Sequence, residues 1–129
     1  MKERLRVNNK MIIYNAGGPR TGNQRWADYV MKLFPKGHFY RIVQGWDVIS
    51  HLPPTEFLNY SHAGTEVWYP GRGIELDHKI CYNEPGKREN QQCANTLGPH
   101  QNTFLPDHLI SVGIRVMNLI CFEDYFLAE

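Results

Sequence analysis

Two short apolar runs on either side of one helical pattern limit the possible folds more than any other feature of this chain. Residues 10–16 (KMIIYNA) and 38–46 (HFYRIVQGW) are rich in β-branched and aromatic residues and end at turn residues, which predicts two strands, the first of them buried. Residues 23–34 (NQRWADYVMKLF) have helical periodicity. Residues 65–70 (TEVWYP) and 74–82 (IELDHKICY) predict a two-stranded meander across a GRG turn. This order of elements predicts part of an α/β sheet.

The first predicted helix has recognisable ends and a predicted core face. Asn23 is a suitable N-cap, and the PKG sequence that follows the helix is a stop signal. Trp26, Tyr29, Val30 and Leu33 recur at helical spacing, so we predict that they face the core rather than a lipid.

A second, short helix is predicted near the end of the chain. The sequence DHLISVGIRV at residues 107–116 opens with Asp107, a good N-cap residue type, directly after Pro106. Even with this helix the chain has few helices for an α/β sheet, whose two faces normally both need cover.

Composition restricts the class of protein. The chain has 129 residues, 42% of them hydrophobic, which is enough for one small globular domain. Its 14 basic and 13 acidic residues are well mixed and give a net charge of +1, which offers no electrostatic argument for a nucleic-acid partner. No stretch approaches the roughly 20 apolar residues of a membrane helix. The first ten residues have no apolar run behind their charges, so we expect no signal peptide in this chain.

Three cysteines leave two interpretations open. Cys81 and Cys93 bracket a polar loop, and Cys121 stands alone in an apolar tail. Two cysteines that close a short loop are a weak indication of an oxidising compartment. The alternative is three buried free thiols.

Asp47 is the first candidate for a functional residue. It follows the second predicted strand and precedes a sharp HLPP turn, a place where many enzymes hold a polar side chain. The simpler alternative is that its carboxylate only closes this turn, just as His108 could be an ordinary helix residue beside Asp107. His51 and His62 are interpreted as structural, and Arg20 as a residue that ties its loop down by hydrogen bonds.

The histidines do not predict a metal centre. Asp47, His51, His62 and His78 match no compact ligand spacing, so we expect neither zinc nor any other cofactor.

Five segments, taken in order, resemble the class 3 lipases, the fungal-lipase-like group of α/β-hydrolases. The segments are YNAGGPRTGNQRWADYV (14–30), YRIVQGWDVISHLPP (40–54), NYSHAGTEVWYP (59–70), CYNEPGKRENQQCANTL (81–97) and FLPDHLISVG (104–113). Each segment alone is weak, but five in the order of the family are specific and span nearly the whole chain.

The resemblance implies a partial α/β-hydrolase sheet, made of the C-terminal strands and helices of a lipase and lacking the half that carries the nucleophile elbow. It divides the chain into a polar N-terminal stub at residues 1–9, the C-terminal part of a class 3 lipase domain at residues 10–116, and a tail of unknown structure at residues 117–129. Relatives usually bridge the loop between Cys81 and Cys93, so the resemblance also implies a disulfide there.

By the same resemblance Asp47 and His108 correspond to the acid and the base of a Ser-Asp-His triad. An imidazole with an ordinary pKa of about 6.5 can take the proton of a hydroxyl at neutral pH. A carboxylate on its other nitrogen fixes the tautomer and stabilises the imidazolium as it forms. The resemblance assigns no substrate-binding residue.

The nucleophile motif G-x-S-x-G is absent from the sequence. The only serines are Ser50, Ser61 and Ser111, and none has glycines on both sides at the required spacing. We therefore expect lipid ester hydrolysis to be the function of the family and this polypeptide to be inactive alone. The sequence would then be a fragment, a truncated gene model or a genuine short product. The alternatives are a non-catalytic interaction module derived from the lipase half-fold and an unrelated small secreted disulfide protein.

The resemblance also predicts partners and location. A lipid or ester is the expected substrate of the full-length family, and relatives with the bridged loop are usually secreted. The first strand would pair with the missing nucleophile strand, so residues Met11–Ala16 would leave an apolar edge open to self-association. One departure concerns the site itself, because Ser50 stands where the family usually has proline.

Overall fold

The computed structural model describes residues 11–71, 77–97, 104–111 and 114–115. The strands are β1 (Ile13–Ala16), β2 (Gly22–Asn23), β3 (Phe39–Gln44), β4 (Tyr60–Ser61), β5 (Thr65–Tyr69), β6 (Lys79–Tyr82), β7 (Ile110–Ser111) and β8 (Ile114–Arg115). The helices are α1 (Gln24–Leu33) and α2 (Leu105–His108), and short 3₁₀ turns occupy Ile49–His51 and Ala94–Leu97.

Among the described residues, the main sheet is mixed and has four strands, in the order β1-β3-β5-β6. Strand β3 pairs in parallel with β1 and with β5, and β6 returns antiparallel to β5, which confirms the predicted meander. Residues 72–76 of that meander lie outside the described residues. Strand β1 lies at the end of the described sheet order. Its residues alternate between half-buried and exposed, and Tyr14 is 66% exposed, so the prediction of a buried first strand was wrong.

Helix α1 begins where the sequence predicted. The side chain of Asn23 accepts a hydrogen bond of 3.1 Å from the backbone N–H of Trp26, which is a regular N-cap. The buried face consists of Ala27 and Met31, one turn apart, and they pack with Ala63. Trp26, Val30 and Phe39 surround this core cluster.

The predicted core face of α1 was therefore wrong in two of its four residues. Tyr29 and Leu33 are exposed by 56% and 48%. Tyr29 lies about 200° around the helix from Ala27 and Leu33 about 240°, so both lie on the face away from the core. The small Ala27 determines the contact stripe because it allows close approach to Ala63, and a search for large apolar residues misses it.

The second helix is also shorter than predicted and begins earlier. Phe104 occupies the N-cap position and Asp107 lies inside α2, which ends at His108. Beyond it, residues predicted as helix form the antiparallel pair β7 and β8. The β-branched residues of ISVGIRV favour strands, and this local preference prevailed over the capping signal.

One disulfide links β6 to the second 3₁₀ turn. Cys81 and Cys93 are bonded, and their Cα atoms lie 6.0 Å apart. The predicted pairing is thus present. Cys121, the stub at residues 1–9 and the tail at residues 117–129 lie outside the described residues. Among the described residues, no helix combines the length and the apolar character needed to cross a membrane.

Candidate active site

Asp47 lies at the carboxyl end of β3, in the turn that leads to the first 3₁₀ turn. Its side chain is buried, with only 1% of the residue exposed. Its Oδ1 accepts a hydrogen bond of 2.8 Å from the backbone N–H of Ile49, and its Oδ2 accepts one of 2.9 Å from the hydroxyl of Ser50. Two hydrogen bonds from its own turn thus orient the carboxylate.

His108 comes from the other end of the chain and meets the same carboxylate. Its Nδ1 lies 3.0 Å from Asp47 Oδ2, although 61 positions separate the two residues. A carboxylate can only accept, so the proton of this hydrogen bond is on Nδ1 and the neutral ring has its lone pair on Nε2. The His108 side chain is 28% exposed and that of Asp47 only 2%, so the histidine is the accessible member of the pair.

Two hydrogen bonds with the backbone of Trp46 bring His108 to this position. The backbone N–H of Trp46 donates to Asp107 Oδ2 at 2.8 Å, and the backbone N–H of Phe104 donates to the carbonyl of Trp46 at 2.7 Å. Asp107 also lies against Gly45, where a Cβ atom would collide with its carboxylate. The segment Phe104–His108 is therefore attached directly to the residues that precede Asp47. Sequence reasoning gave Asp107 only the role of a helix cap, and no local signal distinguishes the two roles.

Gly17 lies close to both Asp47 and His108, although the sequence did not indicate this position. Its φ of +62° suits glycine, and a Cβ atom there would lie 3.0 Å from both Asp47 Oδ2 and His108 Nδ1. The signal that could have identified it is a glycine pair directly after a strand, where the backbone often approaches another group closely.

A buried ion pair fixes the turn that follows Asp47. Arg20 donates from Nε to Glu89 Oε2 at 2.9 Å and from a terminal nitrogen to Glu89 Oε1 at 3.1 Å. Its other terminal nitrogen donates to the carbonyls of His51 and, at 3.0 Å, Pro53. The prediction that Arg20 ties its loop down is confirmed.

Electrostatics keep Glu89 ionised. Burial alone would raise the pKa of its carboxyl, but the hydrogen bonds from Arg20, the charge of His62 where acid protonates that ring, and the charge of Arg41 together lower that pKa from 4.5 to about 2. The backbone N–H of His62 adds a further hydrogen bond to Oε2 at 3.0 Å. Arg20 and Glu89 satisfy each other's charge, so the pair links the loop of Arg20, the turn at His51–Pro53 and the loop of Glu89.

His51 and His62 both support the turn around Asp47 and have structural contacts. The two ring nitrogens of His51 face the carbonyl oxygens of Asp47 at 2.8 Å and Ala94 at 3.1 Å. The ring of His62 lies 2.8 Å from the carbonyl of Ser50 through Nε2. Burial, the largest cause, and the nearby Arg41 lower the pKa of His62 well below its ordinary value, so its neutral ring donates this hydrogen bond.

The other predicted residues are placed as follows. His78 contacts the ring of Tyr69, with 5.6 Å between the centroids. Within the described ranges, no three His, Cys, Asp or Glu side chains form a group that could hold a metal ion. Of the serines, Ser50 donates to Asp47, and Ser61 is buried with its hydroxyl 3.5 Å from the adjacent carbonyl of His62.

Chemically, the site is a carboxylate–imidazole pair in which Nδ1 of the ring, and not Nε2, contacts the carboxylate. The imidazole can accept a proton at Nε2 while Asp47 stabilises the positive charge through Nδ1. This arrangement suits general-base catalysis of attack by a hydroxyl group.

Comparisons with known proteins relate the whole arrangement to one family. The family pattern of the lipases (class 3) matches residues 1–57. A lipase from Rhizomucor miehei is 32% identical over 106 residues, which are 81% of this chain and 26% of the relative. A secreted mono- and diacylglycerol lipase from Malassezia globosa is 37% identical over 68 residues, which are 53% of this chain and 21% of the relative.

A solved structure shows the same backbone arrangement. The crystal structure of a lipase from Rhizopus microsporus var. chinensis superimposes with a TM-score of 0.73 at 34% identity, over 88% of this chain and 37% of the other. The chain thus spans only about a quarter of the length of the curated relatives named above. In sequence and in the mixed sheet that supports the Asp–His contact, this chain belongs to the class 3 lipases of the α/β-hydrolase fold.

Proposed function

We propose that Asp47 and His108 are the acid and the base of a lipase-type site for the hydrolysis of lipid esters. The observation that carries the proposal is the contact of 3.0 Å between His108 Nδ1 and Asp47 Oδ2. It lies after β3, whose partners β1 and β5 are both parallel to it, and α/β proteins place their chemistry at this carboxyl end. Membership of the class 3 lipases supports the same roles.

In this mechanism His108 Nε2 removes the proton of a serine hydroxyl as the hydroxyl oxygen attacks the ester carbonyl. Asp47 keeps the second ring proton on Nδ1 and stabilises the imidazolium that forms. His108 then gives the proton from Nε2 to the departing alcohol. The buried position of Asp47 supports this role because a carboxylate held away from water interacts more strongly with the imidazolium.

The hydroxyl that attacks is proposed to come from outside this sequence. Ser50 donates to Asp47, and Ser61 has its hydroxyl beside its neighbour's carbonyl, so neither contact suits a nucleophile. Loss of the nucleophile in a serine protease costs about 10⁶ in turnover. We therefore expect this polypeptide alone to hydrolyse esters no faster than free imidazole does.

A chimera tests the proposed roles. The 100 residues of the Rhizopus oryzae lipase that match this chain at 35% identity would be replaced by the matching part of the chain, and ester hydrolysis would be measured. We expect the chimera to be active, and Asp47→Asn to reduce kcat by about 10⁴ because the tautomer is no longer fixed. His108→Ala should remove nearly all activity.

The matched control is His78→Ala, which removes an imidazole that contacts Tyr69 instead. A folded, active chimera whose rate is unchanged by Asp47→Asn or by His108→Ala would refute the proposed roles. Measurable hydrolysis by the chain alone that disappears with Ser50→Ala would refute the external nucleophile.

A second candidate function is an interaction module that associates through β1. The observation that favours it is the position of β1 at the end of the sheet order formed by the described residues, with Met11, Ile12 and Tyr14 exposed by 41%, 48% and 66%. An edge strand with exposed apolar side chains can pair with another strand. We propose a second copy of the chain as the partner.

We further propose that the protein acts outside the cell. The Cys81–Cys93 disulfide is the type of bond that persists in oxidising compartments. The relatives from Malassezia globosa and Fusarium solani are named as secreted lipases. Expression in its host, followed by detection of the chain in medium and in cell extract, tests this location.

A further inference from the structure

The carboxylate of Asp47 has more donors than an acid held only by its histidine would need. Among the described residues, three groups donate to it, namely the backbone N–H of Ile49, the hydroxyl of Ser50 and Nδ1 of His108. The last two share one oxygen atom, Oδ2, at 2.9 Å and 3.0 Å. Only the histidine comes from a distant part of the chain.

Ser50 is itself held at a fixed position. Only 4% of the residue is exposed, and it lies in the middle of the 3₁₀ turn Ile49–His51. Its carbonyl accepts a hydrogen bond of 2.8 Å from Nε2 of His62. Burial lowers the pKa of His62, so the neutral ring can serve as this donor. The hydroxyl and the carbonyl of Ser50 are therefore both engaged, one with Asp47 and one with His62.

We propose that Ser50 is a positioning residue, whose hydroxyl holds Asp47 Oδ2 in place independently of His108. The carboxylate then keeps its orientation even when the imidazole is displaced, for example by a substrate. Proline, the usual residue of the family at this position, has no hydroxyl and cannot supply this contact. The inference rests on the proposed function only for the role of Asp47 as the acid.

The geometry also distinguishes this role from that of a nucleophile. A nucleophilic hydroxyl would donate to Nε2 of the base, whereas Ser50 donates to the acid that binds Nδ1. Ser50 and His108 thus both donate to the same carboxylate oxygen, Oδ2.

A double-mutant cycle tests whether the two donors substitute for each other. His108→Phe keeps a ring in place but removes its donor, and Ser50→Ala removes the hydroxyl. Each single variant leaves one donor on Oδ2, but the double variant leaves a buried carboxylate oxygen with none. We expect the unfolding equilibrium constant of the double variant to exceed the product of the two single effects by on the order of tenfold.

Two control variants make the result specific. Ser61→Ala removes another buried serine hydroxyl, one that has no contact with Asp47, and should combine with His108→Phe additively. Ser50→Thr keeps the hydroxyl and should restore additivity. Ser50→Cys keeps the side-chain volume and weakens the donor, so it should give a smaller excess and covers the case in which Ser50→Ala does not fold.

A spectroscopic measurement separates positioning of the acid from general support of the fold. In Ser50→Ala, His108 becomes the only donor to Oδ2, so its hydrogen bond should strengthen and its Nδ1–H proton resonance should move downfield. Ser61→Ala should leave that resonance unchanged. If Ser50 and His108 share Asp47 Oδ2, both the non-additive cycle and the shifted His108 resonance are expected.

Purely multiplicative effects in the cycle, or an unchanged His108 resonance in Ser50→Ala, would overturn the inference. Neither readout depends on hydrolysis. An inactive chimera would therefore refute the proposed catalytic roles without affecting this cycle, and an additive cycle would refute the role of Ser50 without affecting the rate of the chimera.

Discussion

The ion pair between Arg20 and Glu89 should make the stability of this protein steeply dependent on pH below 5. The carboxylate accepts two hydrogen bonds from Arg20, one from the backbone of His62 and one of 2.8 Å from Asn95. The variant Glu89→Gln keeps the shape of the side chain and removes its charge. Arg20 would then be a buried cation without its partner, which is a strongly destabilising situation.

The magnitude follows from the pKa of Glu89. The change from 4.5 to about 2 corresponds to about 3 kcal/mol of stability, at 1.36 kcal/mol per pKa unit. Because the folded state lowers the pKa, this contribution is fully present above pH 4.5 and is lost as the pH falls towards 2. Removal of one partner from a buried pair typically costs 3–5 kcal/mol, an independent value that agrees.

Urea unfolding, followed by the fluorescence of the three tryptophans with the disulfide intact, measures this effect. At pH 7 we expect Glu89→Gln to be less stable than the natural chain by about 3 kcal/mol, and the difference should shrink as the pH falls from 4.5 towards 2. His62 acts in both proteins. Since its folded pKa is lowered, the stability associated with its neutral form is present above pH 6.5 and declines below it.

The matched control is Glu84→Gln, which removes an exposed carboxylate that pairs with Lys87 three positions along the chain. This variant should show no measurable change, because exposed ion pairs contribute little. A difference between Glu89→Gln and the natural chain that stays constant from pH 7 to 2.5, or one as small as that of Glu84→Gln, would refute the reasoning.

Three further predictions concern the site, the disulfide and the edge strand. Gly17→Ala should displace the imidazole from its carboxylate and lower the free energy of unfolding by about 1–3 kcal/mol, because the added methyl group makes a close contact at a positive φ. The measurement is the loss of the His108 Nδ1–H resonance, and an unchanged spectrum would contradict the prediction. Replacement of both Cys81 and Cys93 by serine should cost about 3 kcal/mol in urea unfolding, whereas an equal stability would show that the bridge constrains nothing. Tyr14→Lys should shift the chain towards monomer in sedimentation experiments, and a natural chain that is already monomeric at high concentration would exclude association through β1.

Local sequence patterns predicted the elements well where one signal dominated. The β-branched runs located β1 and β3, and Asn23 marked the start of α1. The patterns failed where tertiary contacts decided between two local options. Ala27 was overlooked as the centre of a packing face, and Asp107 bonded to Trp46 instead of capping a helix.

The candidate site could be predicted only in part. Asp47 stands out locally because it follows a strand, but no pattern in the chain joins it to His108 at a separation of 61 residues; the family resemblance suggested that pair. Gly17 approaches the carboxylate through the fold and Ser50 through the local turn, and neither was predicted as its neighbour. Contacts of this kind depend on atomic distances, which residue types alone do not encode.

The attachment of the segment Phe104–His108 to Trp46 has an evolutionary consequence. The imidazole is positioned by hydrogen bonds formed next to Asp47, at Asp107 and Phe104. These contacts at Asp107 and Phe104 therefore set the position of the ring relative to Asp47. Lineages of this gene that keep the carboxylate of Asp107 should therefore keep the histidine in register with Asp47, whereas loss of that carboxylate should release it.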